Sequence, residues 1–267
     1  MDTVDRRTLL ATGALVLAGA ATQSEPAAAQ AGPKTIFPVG TTTIPIVGET
    51  DVFPVRRIYC IGRNYAAHSR EMGSDPTREP PFFFQKPSDA VQIVLPGEVA
   101  EHAYPSLTHN YHHELELVAV LGSGGRNIPA ASALDHVFGY SIGLDMTRRD
   151  LQRGMGDQKK PWEIGKSFDH SAPIGPIQPA ASTGHFTKGR IWLQVNGVTK
   201  QDADLSDMIW SVAEQIAQLS EAFELKAGDV IHCGTPENVG PVVPGDVMLG
   251  TIDGLPPLSV RVAPPAA

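Results

Sequence analysis

Cysteine is nearly absent from this chain of 267 residues, which carries only Cys60 and Cys233. So sparse a pair, so far apart, rules out a cysteine-based zinc site and a disulfide-stapled scaffold. Each lies in an apolar, strand-like segment, which favours buried free thiols, although one disulfide stays open in an oxidising compartment. Clustered basic charge is missing as well. Lys and Arg number 21 against 29 Asp and Glu, the formal net charge is -8, and no cationic run exceeds a pair. A nucleic-acid surface needs a concentrated basic face, so no nucleic-acid partner is expected. Long apolar runs are also lacking: the mild one at residues 11–21 is interrupted by Gly13 and Gly19 and is too short for a stable membrane span. Nor is there a phosphate-binding loop, because Gly122-Ser123-Gly124-Gly125 has no following Gly-Lys-Ser/Thr and runs into Pro129.

The composition that remains is that of a soluble chain with a real core, 42% hydrophobic and 19% charged. Residues 1–31 read as a leader: Arg6-Arg7, the weak apolar run, then Ala29-Gln30-Ala31 as an A-x-A cleavage pattern. Paired arginines before a weakly apolar core match a twin-arginine export signal, so the expected location is periplasmic. A disordered amino terminus on a cytoplasmic protein is the alternative.

The rest of the chain is organised around His112-His113-Glu114-Leu115-Glu116-Leu117-Val118-Ala119-Val120-Leu121. The alternation of Leu, Val and Ala predicts a strand, and period two sends Glu114 and Glu116 to the same side. Two carboxylates that close in an apolar core need positive charge between them. A hard divalent cation held by oxygen, Mg2+ or else Mn2+ or Ca2+, is the simplest source. A solvent-facing edge strand with two solvated glutamates is the bland explanation of the same pattern.

Further strands are predicted at 55–61, 82–86, 140–144, 190–195, 230–232, 247–249 and 258–262, with Asn196-Gly197 as a hairpin turn. Short helices are predicted at 66–72, stopped by Gly73, and at 130–138. One long helix is predicted over 207–223, with Met208, Ile209, Val212, Ile216, Leu219 and Phe223 as its buried stripe and Ser206 or Asp207 as its cap. Many strands, few helices and no βαβ alternation point to an α+β fold with a mixed sheet. Asp145, at the end of a strand, supplies a third oxygen ligand for the glutamate pair. Lys166 is placed to hold an anionic substrate oxygen. His68 and Glu71, three apart on a helix, share a face, and the carboxylate would orient the imidazole as a general base.

Gly62-Arg63-Asn64-Tyr65-Ala66-Ala67-His68, His113-Glu114-Leu115-Glu116-Leu117, Gly143-Leu144-Asp145-Met146-Thr147-Arg148-Arg149-Asp150, Gly165-Lys166-Ser167-Phe168-Asp169 and Gly234-Thr235-Pro236 occur in that order. Singly weak, together they are specific, and the chain from about Arg56 to Val262 resembles the fumarylacetoacetate hydrolase family. The resemblance implies a mixed β-sheet rolled on itself with peripheral helices, in a catalytic domain at 56–263 preceded by an extension at 32–55. It implies metal ligands Glu114, Glu116 and Asp145, and catalytic His68, Glu71 and Lys166, the His–Glu pair riding a mobile lid. Substrate-facing positions fall on Lys86, Ser88, Arg149, Gln152 and Thr235, and a homodimer is expected. Phe82-Phe83-Phe84-Gln85-Lys86-Pro87-Ser88-Asp89 and Pro161-Trp162-Glu163-Ile164-Gly165-Lys166-Ser167-Phe168-Asp169-His170 look most like the fumarylpyruvate hydrolase and acylpyruvase members. Two features depart from the family: the export leader, and His232-Cys233 where relatives often carry a small or hydroxyl residue.

The reaction implied is hydrolysis of an acylpyruvate, a 2,4-dioxo acid, most simply fumarylpyruvate to fumarate and pyruvate. The same enolate chemistry serves an oxaloacetate decarboxylase or a 2-hydroxyhepta-2,4-diene-1,7-dioate-type isomerase. An exported binding protein for oxo-dicarboxylates would have no need of His68 and Glu71. A 2-His-carboxylate oxygenase built on His112, His113 and Glu116 is disfavoured, because adjacent strand residues point to opposite faces.

Overall fold

The strand Leu115–Leu121 is buried along its whole length, and its two faces enter different cores. This computed structural model describes residues 35–74 and 79–265; the expected leader at 1–31 lies outside them. From Gly40 onward the described chain is one unit. Leu115, Leu117, Ala119 and Leu121 pack into the larger core with Ile191, Leu193, Met248 and Val260. Val118 and Val120 pack with Ile44, Phe53, Val55 and Ile58 into a second core. Period two therefore places Glu114 and Glu116 on the parity of the second face.

The strand sits inside an eight-stranded mixed sheet. In spatial order its path runs Phe83–Lys86, Ile58–Ile61, Val230–His232, Leu115–Leu121, Val137–Leu144, Ala172–Ile174 and Val91–Ile93, with Gln178–Pro179 also paired to Val137–Leu144. The pairs of Ile58–Ile61 with Val230–His232, and of Ala172–Ile174 with Val91–Ile93, are parallel, and the others on the path are antiparallel. A five-stranded sheet, Val198–Asp204, Arg190–Val195, Val247–Ile252, Leu258–Ala263 and Ala100–Ala103, covers the larger core. The two layers approach so closely at Gly250 that a Cβ there would lie 2.5 Å from Leu115 Cδ1. Short helices are peripheral. The architecture is the curled mixed sheet with few helices that the sequence led us to expect.

Cys60 and Cys233 are buried and free. Among the described residues no helix is long and apolar enough to cross a membrane. Asn196 and Gly197 both have positive φ, 51° and 77°, as a tight hairpin turn requires. The extension folds back: Thr43–Pro45 and Val52–Pro54 pair as a hairpin whose Ile44 and Phe53 enter the second core.

Strands such as Val91–Ile93, Ala100–Ala103 and Ala172–Ile174 and the helix Arg149–Asp157 are not among the elements predicted, and three predicted elements change bounds or type. The long helix is shorter, Val212–Ala222, preceded by a 3-10 turn at Leu205–Asp207. Its cap is Ser211, whose Oγ accepts from the Glu214 N–H while Glu214 reaches back to the Ser211 N–H, so neither Ser206 nor Asp207 caps it. Residues 208–210 instead run alongside Asn64 and Tyr65, with the Ile209 N–H donating to Asn64 O at 2.7 Å. Backbone pairing across the chain has displaced helix continuation there. Ala130–His136 is a 3-10 helix, and Val137 and Phe138 already belong to the next strand. The organising stretch is two strands, Tyr111–His113 and Leu115–Leu121, interrupted at Glu114.

Candidate active site

The interruption at Glu114 is built by its neighbours. The Glu114 carbonyl accepts from the Asp145 N–H at 2.8 Å, and the Leu115 N–H turns to Gln201 Oε1 at 3.0 Å. Leu115 is the register partner of Leu144, so the ends of two adjacent strands bring Asp145 beside the glutamates. Glu114, Glu116 and Asp145 are all buried and offer oxygens within 4.8 Å of one another. The solvated edge-strand reading is thereby excluded.

Positive charge is distributed unevenly over this triad. Lys166 Nζ lies 2.7 Å from Glu114 Oε2 and 2.7 Å from Asp145 Oδ2. Arg149 pairs with the other oxygen of Glu114 and donates to Gln152 Oε1 at 2.6 Å. Burial pushes the Glu114 carboxyl up, but Lys166 and Arg149 outweigh it and hold Glu114 well below the usual carboxylate range. The same carboxylates outweigh the effect of burial on Lys166 and raise its ammonium above the ordinary value. Glu116 has no such partner. It accepts from the Gly234 N–H at 3.1 Å, with His232 Nδ1 at 3.4 Å, and burial pushes its carboxyl up. Gly234 is required here: its φ is +93°, and a Cβ would meet that of Asn64 at 2.6 Å.

The donor set fits a hard divalent cation. It is all oxygen, and Asp145 Oδ1 makes no aligned hydrogen bond although Lys86 Nζ lies 2.8 Å away. Glu116, the least neutralised carboxylate, is the one that gains most from an added cation.

His68 and Glu71 sit on the helix Ala66–Glu71, with His68 Nδ1 2.9 Å from Glu71 Oε2. The same oxygen accepts the Asn238 N–H at 3.1 Å. A carboxylate can only accept, so the proton of this bond is carried by Nδ1 and the other ring nitrogen, Nε2, is turned away from Glu71. Asn64 docks the start of this helix: its amide donates to Trp210 O at 2.9 Å and Cys233 O at 2.8 Å, and its oxygen accepts from the Trp210 N–H at 2.8 Å.

One pocket brings together His68, the three carboxylates, Lys166, Arg149, Gln152 and Thr235. Thr235 Oγ1 is held by Gln201 Nε2 at 2.8 Å. Phe84 and Trp162, in edge contact with ring centroids 6.0 Å apart, form an apolar wall. Lys86 and Ser88 are not brought to this pocket. Lys86 lies behind Asp145, where its ammonium is taken by Asp145, by the Lys166 carbonyl and by Ser171 Oγ at 3.0 Å. Pro87 then turns the chain into the 3-10 turn Ser88–Ala90, where the Ser88 hydroxyl, among the described residues, reaches only Asp89. His112 and His113 also lie outside the triad, bonded to Asn110 Oδ1 at 2.8 Å and Gln201 Oε1 at 3.2 Å. Sequence reasoning missed Gln201, Asn64 and Asn238. Gln201 lies in a mostly exposed strand, and nothing in its neighbours' pattern distinguishes it.

The family Fumarylacetoacetate (FAA) hydrolase C-terminal matches residues 57–263. A crystal structure of fumarylpyruvate hydrolase from Pseudomonas aeruginosa in complex with Mn2+ and pyruvate is similar, with a TM-score of 0.85 and 57% identity, covering 86% of this chain and 99% of that one. A fumarylpyruvate hydrolase from Ralstonia sp is 40% identical over 190 residues, 71% of this chain and 96% of that protein. The mitochondrial oxaloacetate tautomerase FAHD1 of Homo sapiens is 40% identical over 210 residues, 79% of this chain and 93% of that protein.

Proposed function

The chain belongs to the fumarylacetoacetate hydrolase family and is a hydrolase acting on carbon–carbon bonds, and from that premise we propose that it cleaves an acylpyruvate, fumarylpyruvate being the favoured substrate. The observation that carries this reading is His68, oriented by Glu71, sharing one pocket with a buried carboxylate triad and Lys166. The similar enzyme of Pseudomonas aeruginosa, with its Mn2+ and pyruvate, supports it.

Glu114, Glu116 and Asp145 would hold the cation, for which we propose Mg2+, with Mn2+ or Ca2+ as substitutes. When bound, it supplies positive charge for the carboxylate and keto oxygens of a 2-oxo acid. His68 Nε2 takes a proton from water as the water oxygen adds to the distal carbonyl carbon, and Glu71 stabilises the imidazolium that forms. The bond between that carbon and the next breaks, its electron pair passing to the pyruvyl fragment as an enolate. The Lys166 ammonium, which lines the same pocket, would stabilise this developing negative charge. Protonation of the enolate carbon gives pyruvate, and the other product is the carboxylic acid. Arg149 and Gln152 hold one another and line the pocket, where they would face the substrate.

Loss of the conjugated enol absorbance of fumarylpyruvate, with one pyruvate formed per substrate and abolished by chelator, is the expected result for the leaderless protein with Mg2+. Glu116→Ala should lose both metal binding and turnover, whereas His68→Ala should lose turnover by a factor of roughly 100 or more while binding metal. Full activity in metal-free Glu116→Ala would sink the proposal. The similarity to an oxaloacetate tautomerase makes oxaloacetate the second substrate to assay, for tautomerisation and decarboxylation. We further propose a homodimer exported through its twin-arginine leader, to be checked by sedimentation and by leader cleavage on secretion.

A further inference from the structure

Fumarylpyruvate carries a carboxylate at each end, and a receptor that engages only the pyruvyl end leaves the other charge buried without a partner. Three cationic side chains line the pocket: Arg63, Arg149 and Lys166. Two of them are already committed, Arg149 to Glu114 and Lys166 to Glu114 and Asp145. Arg63 is not. Among the described residues it forms no salt bridge, and its buried Nε has no hydrogen-bond partner. Glu71 and Glu79 border neighbouring hollows together with Arg63, yet neither pairs with it.

The side chain is nevertheless held in place. Its guanidinium carbon lies 5.7 Å from the centroid of the Phe82 ring. That ring lies flush on Gly62, where a Cβ would meet Phe82 Cζ at 2.1 Å. The Arg63 backbone is left-handed, with φ of 57°, a conformation that an arginine adopts only when its surroundings impose it. The next residue, Asn64, is anchored by three side-chain hydrogen bonds to Trp210 and Cys233.

We propose that Arg63 is the specificity residue that receives the distal carboxylate of the substrate, selecting acylpyruvates that end in an acid over those with a neutral acyl group. A guanidinium matches a carboxylate with two parallel N–H donors, and its pairing would satisfy the Nε group that is buried without a partner. Phe84 and Trp162 then line the path of the planar unsaturated chain between the two charged ends. This inference rests on the acylpyruvate reading above.

The test compares fumarylpyruvate with acetylpyruvate, which has the same reacting centre and no distal carboxylate. In Arg63→Gln the ratio of kcat/KM for fumarylpyruvate over acetylpyruvate should fall roughly 10- to 100-fold, the usual worth of a hydrogen-bonded charge. The fall should appear mainly in KM, and Arg63→Lys should restore part of it. An unchanged ratio, including equal losses on both compounds, overturns the inference. Wild-type protein that turns over neither compound overturns the acylpyruvate reading instead. Arg63 is then judged by calorimetric binding of the two compounds to the Mg2+-loaded His68→Ala protein, with and without Arg63→Gln. A binding ratio that ignores Arg63, or no binding at all, overturns the inference there too.

Discussion

At the scale of single residues, charge placement separates what spacing reveals from what it conceals. His68 and Glu71 are legible in the sequence because helical spacing alone puts them on one face. Glu114 and Glu116 are legible because strand spacing does the same. Lys86 is not: its segment matches a pocket-lining motif, but only the fold decides that Asp145 and Ser171 capture its ammonium from behind. Buried histidines carry a separate consequence for stability. His102 is buried, with Nδ1 donating to Gln92 Oε1 at 2.6 Å and Nε2 accepting from the Tyr111 hydroxyl at 2.5 Å, an arrangement only the neutral ring can make. Burial lowers its pKa to about 4. The unfolded chain, titrating near 6.5, therefore binds more protons between those values, so stability is full above pH 6.5 and falls as the pH drops towards 4. Urea unfolding at pH 7 and pH 5 should differ by about 2 kcal/mol from this residue, and His102→Gln should flatten the dependence.

At the scale of elements, local pattern located the longer apolar strands but not Val91–Ile93, Ala100–Ala103 or Ala172–Ile174, and tertiary pairing decided where elements stop. Val230–His232 falls on the expected residues, whereas the helix expected from residue 207 begins at Val212 because residues 208–210 are pulled onto Asn64 and Tyr65. The break at Glu114 escapes sequence reasoning for the same reason, since Gln201 and Asp145, both distant in sequence, supply the competing hydrogen bonds. Helix Ala66–Glu71 is only six residues long and lacks a side-chain cap, so it owes its position to docking rather than to propensity. Asn64→Ala removes three hydrogen bonds at that dock and leaves backbone groups of Trp210 and Cys233 without this partner. The expected outcome is a loss of about 2–4 kcal/mol in thermal or urea unfolding. A fall in kcat should accompany it with metal affinity retained, because His68 moves and the triad does not.

At the scale of the whole molecule, the site draws on residues from Ile61 to Thr235, and convergence of that kind is invisible to any single window of sequence. The order of five short motifs made it legible, since each contributes a residue from a strand end, turn or short helix to the one pocket. What remained hidden were the polar residues that hold those motifs in register, chiefly Gln201 and Asn64. One property of the pocket belongs to the assembly rather than to any member of it. Its lining carries three acidic side chains, Glu114, Glu116 and Asp145, and three basic ones, Arg63, Arg149 and Lys166. A divalent cation alone adds two positive charges to that balance, and a dicarboxylate alone adds two negative ones. Together they restore neutrality beside the buried Glu114, Glu116 and Asp145, where imbalance is costly. Metal and diacid should thus each raise the affinity of the other by the same factor. Calorimetric titration of Mg2+ into the His68→Ala protein should show tighter binding when fumarylpyruvate is present. The receptor is, in effect, complete only as a ternary complex, and the occupancy of either ligand is conditional on the concentration of the other.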